Sequence, residues 1–313
     1  MNFIQKIKRN GHFETLFPYL FCSAPKINYK RERINTRDKD FLDLDWVRNE
    51  SSKLVIFCHG LESNSRAKYV RSSAFSCLGE GYDILAWNYR GCSGEINKSL
   101  KYYHSGATQD LEDVIKHVIK SYFYTDIYLV GFSLGGNLVL KYMGENSTTT
   151  YDEIKLVIAV SAPVCLKTSS HKLSYGLNKI YTNNFLKTLK KKVLAKEKML
   201  LKVGFNLEKV KQAEDLPAFD DLFTAPIHGF KDADDYYTKC SSKFFLKNIT
   251  KPTIIINAKN DPFLSPECFP YDEVQKNKYM TLVAADRGGH VGFKDFILEK
   301  SKGIEKIILA YIK

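Results

Sequence analysis

The sequence predicts an α/β fold, a mostly parallel central sheet with helices on both faces and an inserted helical cap. Three observations predict it. Short continuous apolar runs recur at 54–60, 83–88, 126–131, 155–161 and 253–258, and such runs mark strands buried on both faces. Between several of them, apolar residues recur three and four apart, as at Leu111, Val114, Ile115, Val118 and Ile119. Strands therefore alternate with helices, the pattern of a parallel sheet covered on both sides. The alternation stops at Ala162-Pro163 and resumes at Thr253, which marks an insertion between two core strands.

The elements follow in order. Residues 1–28 read as an N-terminal arm. Basic residues are followed by an apolar patch from Leu16 to Cys22, but Glu14 and Pro18 interrupt the region and no clean cleavage site follows, so a secretory signal is not expected. The arm is expected to pack its aromatics on the main body. Tyr29–Asn35 and Phe41–Val47 flank the polar turn Thr36-Arg37-Asp38-Lys39-Asp40 and read as a hairpin. Helices are expected near 66–79, 108–121 and 134–144, with a last helix over about 295–312. Tyr279–Ala284 reads as a further strand. The core thus comprises 29–163 and 250–313, and 164–249 forms the cap.

Composition sets outer bounds. The chain has 313 residues, 44% hydrophobic and 13% aromatic, enough for a substantial core and too apolar for intrinsic disorder. No apolar run approaches the roughly 18 residues a membrane helix needs. Seven cysteines occur without a C-x-x-C pair, the closest two being Cys77 and Cys92. That argues against a disulfide scaffold or zinc ribbon and suits a reducing, cytoplasmic setting. The formal charge is +12, from 47 Lys+Arg against 35 Asp+Glu. The excess is mostly lysine, whereas base reading leans on the arginine fork, so no nucleic-acid partner is expected.

The chemistry centres on Gly131-Phe132-Ser133-Leu134-Gly135. This is G-x-S-x-G, placed where a buried strand runs into an amphipathic helix, the setting of a nucleophile elbow. Ser133 is the expected nucleophile. A serine hydroxyl needs a base, and acid and base should follow it in that order. Asp261 follows the strand at 253–258, and His290 lies in Gly288-Gly289-His290 beyond the strand at 279–284. Both reach the sheet edge that carries Ser133. Asp286 and Asp272 are rivals for the acid. His117 falls in a helix, and His171 and His228 fall in the cap. The oxyanion donors are expected to be the backbone N–H groups of Leu134 and Leu61, with His59 positioning the loop of the latter.

The chain resembles the α/β-hydrolase superfamily. Within it, the chain is similar to the bacterial YheT-like hydrolases and their ABHD1/ABHD3-type and EMB8-like eukaryotic relatives. The blocks that carry the resemblance are NGHFET (10–15), RERINTRDKDFLDLDW (31–46), HGLES (59–63), NYRGCSGE (88–95), YHSGATQDL (103–111), GFSLGGN (131–137), NDPF (260–263) and GGHVGF (288–293). The resemblance implies a serine carboxylic-ester hydrolase acting on short- to medium-chain acyl esters or, in some relatives, phospholipids. Its triad falls on Ser133, Asp261 and His290. The family commonly has Gly where Ser63 stands and Asp-Gly-Asp where Asp38-Lys39-Asp40 stands. The first departure lies near the expected oxyanion donor.

Three functions follow. The leading one is ester hydrolysis through an acyl-enzyme, which needs no metal or organic cofactor. The second is a phospholipase or acyltransferase at a membrane surface. It rests on residues 186–204, where Lys187, Lys190, Lys191, Lys192, Lys196, Lys198 and Lys202 alternate with apolar residues. Such a segment is either a cap helix with a solvated lysine face or a surface for anionic lipid. The third is a catalytically silent binding module, against which all three triad residue types stand. The cap is expected to roof the acyl pocket, with Leu173, Tyr175, Phe185 and Phe205 as candidates for its lining or for internal packing.

Overall fold

The computed structural model describes residues 10–293 and 303–313. Helix α1 (Gly11–Phe21) precedes eight strands: β1 (Lys30–Asn35), β2 (Phe41–Val47), β3 (Lys53–Cys58), β4 (Asp83–Asn88), β5 (Asp126–Phe132), β6 (Ile154–Val160), β7 (Thr253–Ala258) and β8 (Met280–Ala285). They form one sheet in the order β1-β2-β4-β3-β5-β6-β7-β8. β2 runs antiparallel to both neighbours, and every pair from β4 to β8 is parallel.

Side chains fix the register of the expected hairpin. Arg31 lies opposite Asp45 and Arg33 opposite Asp43. Each pair closes an ion pair at 2.7 Å. Opposite charges directly across an antiparallel pair stabilise one register over its neighbours. The parallel strands distribute alternate residues to opposite faces. Leu54, Ile56, Leu129 and Trp87 meet helices α3 (Thr108–Ser121) and α4 (Leu134–Glu145). Val55, Phe57, Ile84 and Phe132 meet helix α2 (Lys68–Leu78) and the C-terminal helix Ile304–Ile312.

Two expectations meet the structure only in part. Residues 1–9 of the arm and 294–302 of the last helix lie outside the described residues. What is described of the arm includes α1, whose buried member is a carboxylate, and Ile27, which packs against the core. Glu14 is 2% exposed, while Tyr19 and Phe21 stay largely in solvent. Helix α1 makes polar bonds to the core through Glu14 and Thr15, while Phe13 and Phe17 are half-buried.

Between β6 and β7 the chain leaves the sheet. Helices α5 (Leu166–Leu173), α6 (Lys179–Ala195), α7 (Glu197–Lys202), α8 (Leu207–Gln212), α9 (Leu216–Phe219), α10 (Ala225–His228) and α11 (Ala233–Cys240) follow, with a π-turn over Asp220–Thr224. The insertion over 176–248 has its own apolar cluster, including Leu186, Val193, Leu200, Phe219 and Phe223, which Tyr102 and Phe263 join to the core. Three lysines of the 186–204 segment turn inward. Lys190 caps the carbonyls of Lys211 and Ala213. Lys192 pairs with Glu62 at 2.7 Å, and Lys196 is buried against Asn97 and the Tyr102 ring. The chain then returns through β7, helix α12 (Tyr271–Gln275), β8 and helix α13 (Ile304–Ile312).

Candidate active site

Ser133 stands alone between the end of β5 and the start of α4, with φ 55° and ψ −119°. A positive φ is uncommon for a residue with a Cβ and stores backbone strain. The turn is tight enough to explain both glycines of the motif. A Cβ on Gly131 would strike the Gly135 carbonyl, and one on Gly135 would strike the carbonyl of Cys58. The Ser133 N–H donates to the Val160 carbonyl at 2.8 Å. Asn137, one turn along, is fully buried. Its Nδ2 donates to the carbonyls of Ser105 and Cys240, and its Oδ1 accepts the Ser242 N–H. The elbow is thus joined to the returning end of the insertion.

The three expected residues come together. The imidazole Nε2 of His290 lies 2.9 Å from Ser133 Oγ, and its Nδ1 lies 2.8 Å from Asp261 Oδ2. Asp261 is 1% exposed, and its other oxygen accepts the Phe263 N–H at 2.8 Å. Both oxygens are therefore bonded, which fixes the carboxylate plane. The rivals lie elsewhere: Asp286 is exposed and pairs with Lys259, and Asp272 is exposed on α12. His117 bonds Glu32, and His228 packs against the ring of His104. His171 is exposed.

The strand register brings the second loop in. Cys58 pairs with Gly131, so His59-Gly60-Leu61 leaves β3 beside Ser133. A Cβ on Gly60 would lie 3.3 Å from that of Ser133. His59 holds this loop from inside. Its Nε2 accepts the Tyr89 N–H at 3.2 Å, which leaves Nδ1 to donate to the Gly60 carbonyl at 2.8 Å. Burial pushes the His59 imidazole down to about 3, so it stays neutral. The Gly60 N–H donates to the Tyr69 hydroxyl. The amides of Leu61 and Leu134 have no protein acceptor among the described residues.

A cavity of about 110 Å³ opens onto Ser133 and His290. Leu61 and Leu134 line it at the core side, and Leu173, Phe185, Leu189 and Phe219 line it from the helices between β6 and β7. Two of the four expected wall candidates, Leu173 and Phe185, are there. Tyr175 points into solvent at 68% exposure, and Phe205 packs inside the cap against Phe223. Asp220 is a wall residue that periodicity does not reveal. It begins the π-turn, accepts the Tyr237 hydroxyl at 2.7 Å, and burial pushes its carboxyl up to about 6. Its sequence signal is slight, a doubled Asp220-Asp221 before an apolar run.

The chain is similar to known proteins along most of its length. A family model described as alpha/beta hydrolase fold matches residues 53–296. The chain is 33% identical over 292 residues to YheT of Escherichia coli (strain K12), covering 91% of this chain and 84% of that protein. It is 29% identical over 293 residues to phospholipase ABHD3 of Bos taurus, covering 91% and 71% respectively. Among solved structures, a Pyrococcus furiosus esterase superposes with a TM-score of 0.61 at 20% identity, covering 92% of this chain and 95% of that one.

Proposed function

The chain belongs to the α/β-hydrolase fold family and is a carboxylic-ester hydrolase, and on that premise we propose that it cleaves short- to medium-chain acyl esters through an acyl-enzyme on Ser133. The observation that carries the assignment is the unbroken line from Asp261 through His290 to Ser133 Oγ. His290 Nε2 takes the hydroxyl proton as Oγ attacks the ester carbonyl carbon. Asp261 holds the Nδ1–H tautomer and stabilises the imidazolium. The free amides of Leu61 and Leu134 hold the negative oxygen of the tetrahedral intermediate. His290 then returns the proton to the leaving alcohol, and water repeats the cycle on the acyl-serine.

The cavity supports the acyl class. At about 110 Å³ it is somewhat smaller than the roughly 150 Å³ space that holds benzene, and its walls mix leucine and phenylalanine with the polar groups of Ser169, Ser170, Asp220, Thr224, Tyr236 and Tyr237. In this reading residues 164–249 form the roof. The test is turnover of p-nitrophenyl esters from acetate to palmitate by the protein and by Ser133→Ala. A rate that peaks at long chains would overturn the chain-length reading. Retained activity in Ser133→Ala would overturn the nucleophile.

A second reading, action on phospholipid or acyl transfer at an anionic membrane surface, is favoured by one observation. Exposed Leu194, Met199, Leu201 and Val203 sit among the exposed Lys191, Lys198 and Lys202, an apolar and basic surface suited to lipid. The inward Lys190, Lys192 and Lys196 reduce that basic face. Flotation with anionic vesicles decides it. Among the described residues no helix is long and apolar enough to cross a membrane. A cytoplasmic setting is in keeping with seven free cysteines. A silent binding module would leave Ser133 unlabelled by a fluorophosphonate.

A further inference from the structure

The motif at 10–15 has no part in the chemistry above, yet it lies against the residues that carry it. Glu14 is a charged side chain with almost no exposure. Its Oε2 accepts the Gly288 N–H at 2.9 Å and the Asn260 side-chain amide at 2.7 Å. Its Oε1 pairs with the guanidinium of Arg287. Asn260 precedes Asp261, and Gly288 lies two residues before His290. Asn260 Oδ1 in turn accepts the amides of Gly288 and Gly289. One buried carboxylate thus binds the acid's loop and the base's loop together.

Thr15 reaches the base itself. Its hydroxyl donates to the Gly11 carbonyl at 2.7 Å and accepts the backbone N–H of His290 at 2.8 Å. The contact is close because glycines face each other across it. A Cβ on Gly11 would strike the Asn260 carbonyl, and one on Gly292 would strike the carbonyl of Glu14. The loop is strained where it is held. Val291 has φ 61° and Phe293 has φ 45°, conformations that L residues with bulky side chains keep only when their surroundings over-determine them. Helix α1 supplies much of that determination, and Ser161 Oγ adds a bond to the Val291 N–H at 2.9 Å.

The same helix touches the insertion. His12 Nδ1 lies 3.3 Å from the Tyr181 hydroxyl of α6, with the two rings parallel. Tyr181 meets Phe263 edge-on, and Phe263 stacks on His290.

We propose that Glu14 and Thr15 are positioning residues of the active site, holding the His290 backbone so that its ring bridges Asp261 and Ser133. The inference rests on the reading of those three residues as the triad. Catalysis by a positioned base tolerates little displacement, since a shift of about 1 Å costs on the order of a hundredfold in rate.

The test uses the full chain with p-nitrophenyl butyrate, in Thr15→Val, Thr15→Ser and Glu14→Gln. Circular dichroism measures the folded fraction, and low-field proton NMR follows the Nδ1–H of His290. Thr15→Val keeps the side-chain shape and removes the acceptor. It should lower kcat by roughly tenfold to a hundredfold at nearly unchanged KM, and should shift or broaden the Nδ1–H resonance. Thr15→Ser should restore both. Glu14→Gln loses the charge facing Arg287 and should lower kcat in the same way. Ser133→Ala is measured alongside. If it stays active the triad reading fails, and the resonance alone then decides whether α1 holds the histidine. If Ser133→Ala is dead while Thr15→Val keeps both wild-type kcat and resonance, the positioning role is overturned. It is equally overturned if lost activity tracks lost folded protein and the folded fraction turns over normally.

Discussion

The ring of Phe263 stacks on the imidazole of His290, with centroids 4.1 Å apart and planes 27° apart, while the Phe263 N–H holds Asp261 Oδ1. One residue therefore braces the proposed base with its side chain and the proposed acid with its backbone. Phe263→Leu separates the two functions, because it keeps the amide and most of the volume. Aromatic contacts of this kind contribute about 0.5–1.5 kcal/mol beyond burial, so kcat/KM should fall by roughly twofold to tenfold. Steady-state kinetics on a short ester checks it, and an unchanged value would show the stack to be idle.

The strained elbow sets stability against activity. Ser133→Gly removes the nucleophile and places at φ 55° the residue that tolerates it. Loss of a triad member costs several orders of magnitude in turnover. Relief of one strained residue should stabilise the fold by about 1 kcal/mol. Activity assays and urea melts are the measurements. A variant that is both dead and less stable would contradict the strain argument.

Asp261→Asn should favour the wrong histidine tautomer and lower turnover by up to about 10⁴-fold. Asp286→Asn, at an exposed pair with Lys259, should leave turnover unchanged. Kinetics on both variants discriminates, and the reverse result would reassign the acid.

Asp220 gives the protein a pH signature. Burial raises its carboxyl from 3.8 to about 6. Between those values the folded protein keeps a proton that the unfolded chain releases, so stability falls as pH rises through the window. At about 1.4 kcal/mol per unit this amounts to roughly 3 kcal/mol. Asp220→Asn does not titrate there and should lose correspondingly less stability between pH 4 and pH 8. Denaturant unfolding at the two pH values measures the difference, and equal slopes would show the carboxyl to be unshifted.

The parts of the fold legible in the sequence are those governed by local pattern. Apolar runs such as 54–58 and 253–258 declare buried strands because both faces of a parallel strand are covered. Ser133 declares itself because only a strand-to-helix turn makes use of glycine at both 131 and 135. Asp261 and His290 follow because strands 253–258 and 279–284 end at the same sheet edge. The cavity wall is different. Whether Phe185 or Tyr175 faces it depends on how α6 lies over the sheet, and periodicity fixes a helix face without fixing what the face meets. Glu14 is harder still. An acidic residue in a first helical turn reads as a solvated partner of the helix dipole, and its burial is created by loops far away in the chain.

The bond between Thr15 and His290 spans 275 positions. At a synthesis rate of about 5–20 residues per second, helix α1 leaves the ribosome roughly 15–55 seconds before its partner exists. During that interval the sheet as far as β6 and the elbow with Ser133 can assemble, while the base is still missing. On the triad reading proposed above, esterase competence is then acquired only when the histidine loop meets a helix made 275 positions earlier.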